Sequence, residues 1–314
     1  MITITHAPPY LTVQDAGRRH SRAFGVPRGG AMDLFALEAL NSIVGNAQDA
    51  AALEWALSGG SLKFAADSVF AIGGARARAT LAGSDVPPFT TVYAAAGSEL
   101  EIEQITDGRF LYIACAGGVD VPAVLGSRST YLPGHFGGFQ GRMVGRGDSL
   151  PFGQRPATIP APGFTCPAEL LPAYASSVVR VTTGSHADLF DDAAWRAFTE
   201  TDFVVSHASD RTGYKLQGQA VSHSLGSLPS DPGCQGAIQI PSEGTPIVLM
   251  ADAPTVGGYP KIAVVSKTDM PILAQRSPGA SVHFELITIE QSQRALKRRA
   301  SDQKTIRSLG AASA

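Results

Sequence analysis

The 314-residue chain carries 25 Lys and Arg against 27 Asp and Glu, a formal net charge of −2, with 44% hydrophobic and 17% charged residues. That balance supplies no basic field for nucleic acid, and no apolar run approaches the roughly eighteen residues of a membrane span. The length suits two domains, each able to bury about 70% of its unfolded surface.

The opening residues, MITITHAPPYLTV, lack a positive segment followed by an apolar one, so no signal peptide is expected. Cys115, Cys166 and Cys234 form no CxxC pair, which favours reduced thiols and a soluble cytoplasmic protein. Thirty-four glycines and twenty-one prolines, spread along the chain, predict many turns and therefore many short strands.

Residues 1–5 and 10–13 read as strands around Pro8-Pro9. Residues 12–33, TVQDAGRRHSRAFGVPRGGAMD, set Gly17, Gly25, Gly29 and Gly30 among Asp15, Arg18, Arg19, His20, Arg22, Arg28 and Asp33. Glycines at the bends, with carboxylates and guanidiniums between them, predict a specific irregular loop. Leu34, Leu37, Leu40, Ile43 and Val44 then recur at helical spacing, so a helix is expected over 34–44. Asp33 is its natural N-cap and Gly45-Asn46 its left-handed stop.

Between 51 and 150 the runs 51–57, 61–64, 68–72, 77–81, 91–93, 99–102 and 109–114 read as short strands, the pattern of a sandwich or barrel. A second glycine- and arginine-rich stretch, 117–148, holds Ser127, Arg128, Ser129, Thr130 and Tyr131 in one cluster. Six prolines in 151–176 mark a linker, giving a first domain over 1–150 and a second over 177–290. In the second, a helix is expected over 188–198 and strands over 178–182, 203–206, 215–217, 237–240, 246–250, 262–265 and 281–287. A polar helix or tail follows over 291–314. It opens on Thr288-x-x-Gln291, a capping box, and reads as a solvent-facing helix fraying near Gly310.

GxxxxGK[ST], GxSxG and HExxH are all missing, as is a Met-Lys-Met biotinylation site. A self-sufficient ATPase, serine hydrolase, metallohydrolase or biotin carrier is thus not indicated. The seven histidines show no helical i, i+4 pair, and no metal site is expected.

Three further segments stand out: SDRTGYKL at 209–216 and DAPTVGGYPK at 252–261 combine charge with a glycine bend, and GAIQIP at 236–241 is a strand ending in a turn. Arginine binds carboxylate or phosphate through a planar fork, whereas lysine is a point charge that responds strongly to desolvation. Lys261 lies between Pro260 and Ile262, an apolar setting for a rare residue type in this chain.

Taken in order, TVQDAGR, GVPRGGAMD, GGVDVPAVLGSRSTY, GGFQGR, SDRTGYKL, GAIQIP and D-x-P-T-x-GGYPKIA closely resemble the carboxyltransferase-like family. It comprises allophanate hydrolase subunit 2, the C component of 5-oxoprolinase (KipA) and part of the urea carboxylase carboxyltransferase domain. The match runs over about residues 12–284. The resemblance implies a mainly β protein of two cyclophilin-like β-barrel domains with a few short helices. It further implies a KipI-like partner, the B component of 5-oxoprolinase, possibly a third subunit, and a small amide substrate.

In the 5-oxoprolinase form of the family, ATP phosphorylates the lactam oxygen of 5-oxoproline and water opens the ring. Charge developing on the amide oxygen and on phosphate needs fixed cations and donors. In that reading Arg211 and Lys261 are expected in that role, with Tyr214 and Tyr259 as hydrogen-bonding or proton-relay groups. Asp15, Asp33 and Asp252 become orienting groups or bases. Arg18, Ser129 and Tyr131 join the substrate-binding set, and Gly29-Gly30 and Gly257-Gly258 offer backbone N–H groups to an anion. In the alternative form, carboxybiotin on a separate carrier gives its carboxyl group to urea or a related amide. A third reading is a non-catalytic regulator that binds a Kip-type kinase inhibitor. Two departures stand out: Arg19-His20 where the family usually has a residue followed by glycine, and a 223–236 segment lacking the usual Ser-Glu-Gly.

Overall fold

Ile2 and Ile4 point into a core while Thr3 and Thr5 do not, the period-2 pattern of a half-buried strand. A computed structural model of the chain describes residues 1–224 and 228–313, so residues 225–227 of the departing 223–236 segment lie outside it. By contact density the chain divides into two units. One comprises Met1–Arg19, Gly29–Leu171 and Ser301–Ala314; the other comprises His20–Arg28 and Pro172–Ala300.

The first unit holds β1 (Ile2–His6), β2 (Tyr10–Gln14), α1 (Leu34–Ile43), β3 (Ala52–Ala56), β4 (Gly60–Phe64), β5 (Ser68–Leu81), β6 (Ser84–Asp85), β7 (Val92–Ala94), β8 (Glu99–Cys115) and β9 (Ser149–Leu150). They form a nine-stranded antiparallel sheet in the order β2-β3-β8-β4-β1-β9, with β5 paired to β8 and also to β6 and β7. Trp55, Phe64, Phe70, Leu111 and Ile113 lie in its core. The runs expected at 68–72 and 77–81 are one strand, β5, and those at 99–102 and 109–114 are likewise one, β8. Gly74 (φ 91°) and Gly108 (φ 84°), which read as separators, lie within long strands whose pairing shifts register between Gly74 and Ala79.

Residues 163–166 run along this unit, where the Thr91 amide donates to the Phe164 carbonyl and the Cys166 amide to that of Phe89. The Asp33 cap is present, its carboxylate accepting from the Ala36 amide at 2.9 Å.

The second unit holds β10 (Val178–Thr183), α2 (Asp192–Thr199), β11 (Asp202–Val205), β12 (Gly213–Gln217), β13 (Asp231–Pro232), β14 (Ala237–Gln239), β15 (Ile247–Leu249), β16 (Val256–Gly257), β17 (Lys261–Val265), α3 (Met270–Ala274) and β18 (Ser281–Leu286). Seven strands close a barrel in the order β10-β17-β14-β15-β12-β11-β18, and β13 and β16 form a separate two-stranded ladder. Phe284 stacks on Phe198 (centroids 4.8 Å apart, planes at 17°) with Phe203 beside both. The chain is therefore mostly β, as expected, with one closed barrel and one curled open sheet.

α4 (Ile289–Ala312) starts with the expected capping box: the Thr288 amide donates to Gln291 Oε1 at 2.7 Å, and the Gln291 amide to Thr288 Oγ1 at 3.2 Å. Contrary to the sequence expectation, it does not fray at Gly310, and its last part is not wholly solvent-facing. Ile306 and Gly310 are buried, and Gln303 Nε2 donates to Glu38. No helix among the described residues is long and apolar enough to cross a membrane.

Candidate functional site

In the second unit, the 209–212 loop and the loop after β15 are joined by a forked ion pair. Arg211 Nε and Nη2 donate to the two oxygens of Asp252 at 2.8 and 3.0 Å, and the Asp252 amide donates to the Arg211 carbonyl at 2.8 Å. Both side chains are buried. A carboxylate held by both arms of a fork is fixed in plane as well as distance, so this pair sets loop geometry. Tyr214 is fully buried on β12 and donates its hydroxyl to the Ala274 carbonyl at 2.8 Å, tying α3 to the barrel. Tyr259 is exposed.

Lys261 is differently placed. It opens β17, is buried, and its ammonium donates to the Asp231 carboxylate, which lies on β13 outside the barrel. The ammonium, hydrogen-bonded to it, holds the Asp231 carboxyl below its usual range, with a smaller contribution from His186. The Lys261 amide donates to His186 Nδ1 at 3.3 Å, and the His186 amide donates to the Lys261 carbonyl at 3.2 Å.

On the neighbouring strand, Gln239 pairs in register with Lys261. It is 5% exposed, and its Nε2 has no hydrogen-bond partner among the described residues. Gly257 of β16 lies directly over that nitrogen; a Cβ there would stand 2.7 Å from it. Gly258 follows beside the Leu228 carbonyl. On the same ladder, Arg22 donates to the Gly233 carbonyl and, at 3.3 Å, to that of Thr255.

An ammonium and an amide donor on adjacent strands, both desolvated, are donors of the kind that can hold an oxyanion or a polarised carbonyl oxygen, since such groups act most strongly away from water. Of the residues expected in this unit, the structure joins Arg211 to Asp252 and brings Lys261 near Gly257. Asp231 and His186 escape sequence reasoning, and Gln239 enters it only as part of the GAIQIP segment. The only trace of Gln239 in the sequence is an amide inside an apolar strand, and nothing local marks Asp231.

In the first unit, Asp15, Arg18 and Ser129 meet. The Asp15 carboxylate accepts from Ser127 Oγ (2.6 Å), Ser129 Oγ (2.5 Å) and the amides of Gly17 (2.8 Å) and Arg128 (2.5 Å). Arg18 is buried, donates to the Ser129 carbonyl and lies 4.8 Å over the Phe136 ring. Tyr131 packs against that same ring, with centroids 5.4 Å apart. Gly30 (φ 90°) packs against the backbone of residues 15–17, where a Cβ would meet the Gly17 nitrogen at 2.8 Å. Gly29 precedes it at φ 63°. These glycines let two backbones touch.

Asp33 donates its amide to the Tyr112 hydroxyl at 2.8 Å, and that hydroxyl donates to Glu54 at 2.6 Å. Glu54 is fully buried and also accepts from the Met32 amide and the Tyr10 hydroxyl. Burial, with Glu54 and Asp33 adding to it, pushes the Tyr112 phenol well above its ordinary range. Glu54 escapes sequence reasoning as well; a carboxylate inside the run ALEWAL is its one signal. A cavity of about 550 Å³ in this unit is lined by Arg19, Glu38, Asn46, Asp49 and Arg307, none of them in the expected site.

Residues 24–286 match the family described as carboxyltransferase domain, subdomain A and B. The chain is 38% identical over 312 residues to the C component of 5-oxoprolinase from Escherichia coli, covering 97% of this chain and 96% of that one. It is 32% identical over 314 residues to urea amidolyase of Saccharomyces cerevisiae, covering 94% of this chain and 17% of that longer protein. The crystal structure of Kluyveromyces lactis urea carboxylase matches with a TM-score of 0.90 at 27% identity, over 97% of this chain and 29% of that one.

Proposed function

Because the chain belongs to the carboxyltransferase domain family of subdomains A and B, we propose that it is the C component of an ATP-dependent 5-oxoprolinase. In this reading it opens 5-oxoproline to glutamate together with a KipI-like partner, the B component of the complex. The observation that carries it is the near-complete two-way match to a 5-oxoprolinase component, against a match to only a sixth or so of urea amidolyase.

ATP gives its terminal phosphoryl group to the lactam oxygen and leaves as ADP. Water attacks the activated carbon, the ring C–N bond breaks as the nitrogen takes up a proton, and a second water releases inorganic phosphate from the resulting acyl phosphate. Lys261 and the Gln239 amide are the buried donors that face the substrate's anionic oxygens. The Arg211–Asp252 pair holds the adjoining loop. No phosphate loop is written in this chain, so the nucleotide is handled by the complex with the KipI-like partner.

The second reading, carboxyl transfer from carboxybiotin to urea, is supported by the likeness to urea carboxylase. The complex is purified with its partner and given ATP and 5-oxoproline or, separately, carboxybiotin and urea. ADP and glutamate are the expected products. Lys261→Ala is expected to lower the rate ~10²-fold, the order of effect of removing one buried donor from an active site. Full turnover by that variant would remove Lys261 from the chemistry, and carboxyl transfer without glutamate release would establish the second reading.

A further inference from the structure

We infer that the Asp231 carboxylate is a placeholder, occupying at Lys261 the position taken by the carboxylate of a small acid substrate, whose remaining acceptor oxygen is held by Gln239. This rests on the reading of Lys261 as a substrate-facing cation and deepens it by naming the group that Lys261 recognises.

Arg211 and Lys261, both buried in the barrel unit, make the case by contrast. Arg211 and Asp252 are both inside, with side chains 9% and 5% exposed, and they pair through two bonds. A pair of that kind is part of the fold. In the Lys261–Asp231 pair the lysine side chain is 4% exposed but the aspartate is 41% exposed. The cation is built into β17, whereas the anion reaches it from solvent on β13. Among the described residues that strand pairs only with β16, over two residues, outside the barrel. Releasing Asp231 therefore breaks a two-residue ladder and leaves the seven barrel strands paired.

Gln239 supplies the independent observation. Its Nε2 is buried, has no partner among the described residues and lies beside Lys261 in register. Desolvating an amide donor without an acceptor is costly, so buried polar groups are almost always paired. An acid with a second oxygen pairs this donor as it replaces Asp231. Gly257 fits the arrangement: without a Cβ, the ladder lies flat on the donor, where any side chain would stand 2.7 Å from it. The exchange is charge-neutral at Lys261, one carboxylate leaving for water as another arrives.

The test is thermal melting of the full chain with acetate as probe, against chloride at equal ionic strength. The same titrations are run on wild type, Asp231→Ala and Asp231→Asn. Removing the internal competitor is expected to make Asp231→Ala bind acetate ~10-fold tighter than wild type, read as a saturable rise in melting temperature. Asp231→Asn, which keeps the shape of the side chain, shows the same gain if the alanine variant does not fold. Lys261→Met combined with either change abolishes it, and Gln239→Leu in a chain that keeps Asp231 weakens binding of 5-oxoproline relative to wild type. Equal acetate binding by wild type and both Asp231 variants overturns the inference, whatever the complex turns over. Acetate rescue without 5-oxoproline turnover upholds it and overturns the proposed function instead.

Discussion

Truncating Arg211 to alanine tests the division drawn between the two cations. The change leaves Asp252, whose side chain is 5% exposed, as a buried carboxylate that has lost two hydrogen bonds of 2.8 and 3.0 Å. Removing one partner of a buried pair costs about 3–5 kcal/mol, because the remaining charge stays desolvated. In a domain of this size that lowers the melting temperature by ~6–20 °C. Replacing both partners with apolar residues, Arg211→Met with Asp252→Leu, removes the charge problem and is expected to recover most of the loss. Urea unfolding followed by fluorescence reports on this unit through Trp195 of α2. A loss under about 1 kcal/mol for the single variant would refute the reasoning. So would a double variant as unstable as the single, since the pair would then not be what holds the two loops.

Asp15→Ala is expected to cost about 3 kcal/mol or more in urea unfolding, because four donors lose a charged acceptor at once. Ser127→Ala removes one of them and should cost about 1 kcal/mol. His20 is exposed with φ 68°, a left-handed conformation. That conformation costs a side chain about 1–2 kcal/mol, of which glycine gives back ~0.5–1 kcal/mol as extra unfolded-state entropy. His20→Gly should accordingly stabilise the chain by up to ~1 kcal/mol, and His20→Ala should show no such gain; the same unfolding curves distinguish them.

Local chemistry was enough to place most elements. The Asp33 cap, the Thr288–Gln291 box and the strands β10, β11, β17 and β18 all follow from capping geometry or apolar spacing. It misled where a turn residue serves a different purpose. Gly74 and Gly108 carry turn-like backbone angles inside β5 and β8 because the partner strand tolerates a register shift, and only the pairing reveals this. β13 and β16, two residues each, are too short for any periodicity to show. The opening loop held a further surprise. Its 12–33 stretch divides between the units after Arg19, so the unusual His20 stands where the chain leaves the first unit, at a left-handed residue. The glycine that the resemblance implies at this position would take that left-handed backbone without steric cost, a reason that spacing alone did not supply.

The site was legible only as far as a charge beside a glycine bend or among apolar neighbours goes. Arg211 stands out by the glycine bend beside it and Lys261 by its apolar neighbours, and both are buried. What separates them is the location of their counterions, 41 residues onward for Arg211 and 30 residues back for Lys261. Neither distance along the chain says whether the partner lies inside the fold or outside it. A cation whose counterion is also buried commits its charge to the fold. When the counterion stands at the surface on a two-residue ladder, the cation can exchange it for a ligand. Gln239 Nε2, without a partner among the described residues, points the same way, because buried donors are almost always paired. The functional distinction therefore lies in which strand covers Lys261, a property of topology that no local motif encodes.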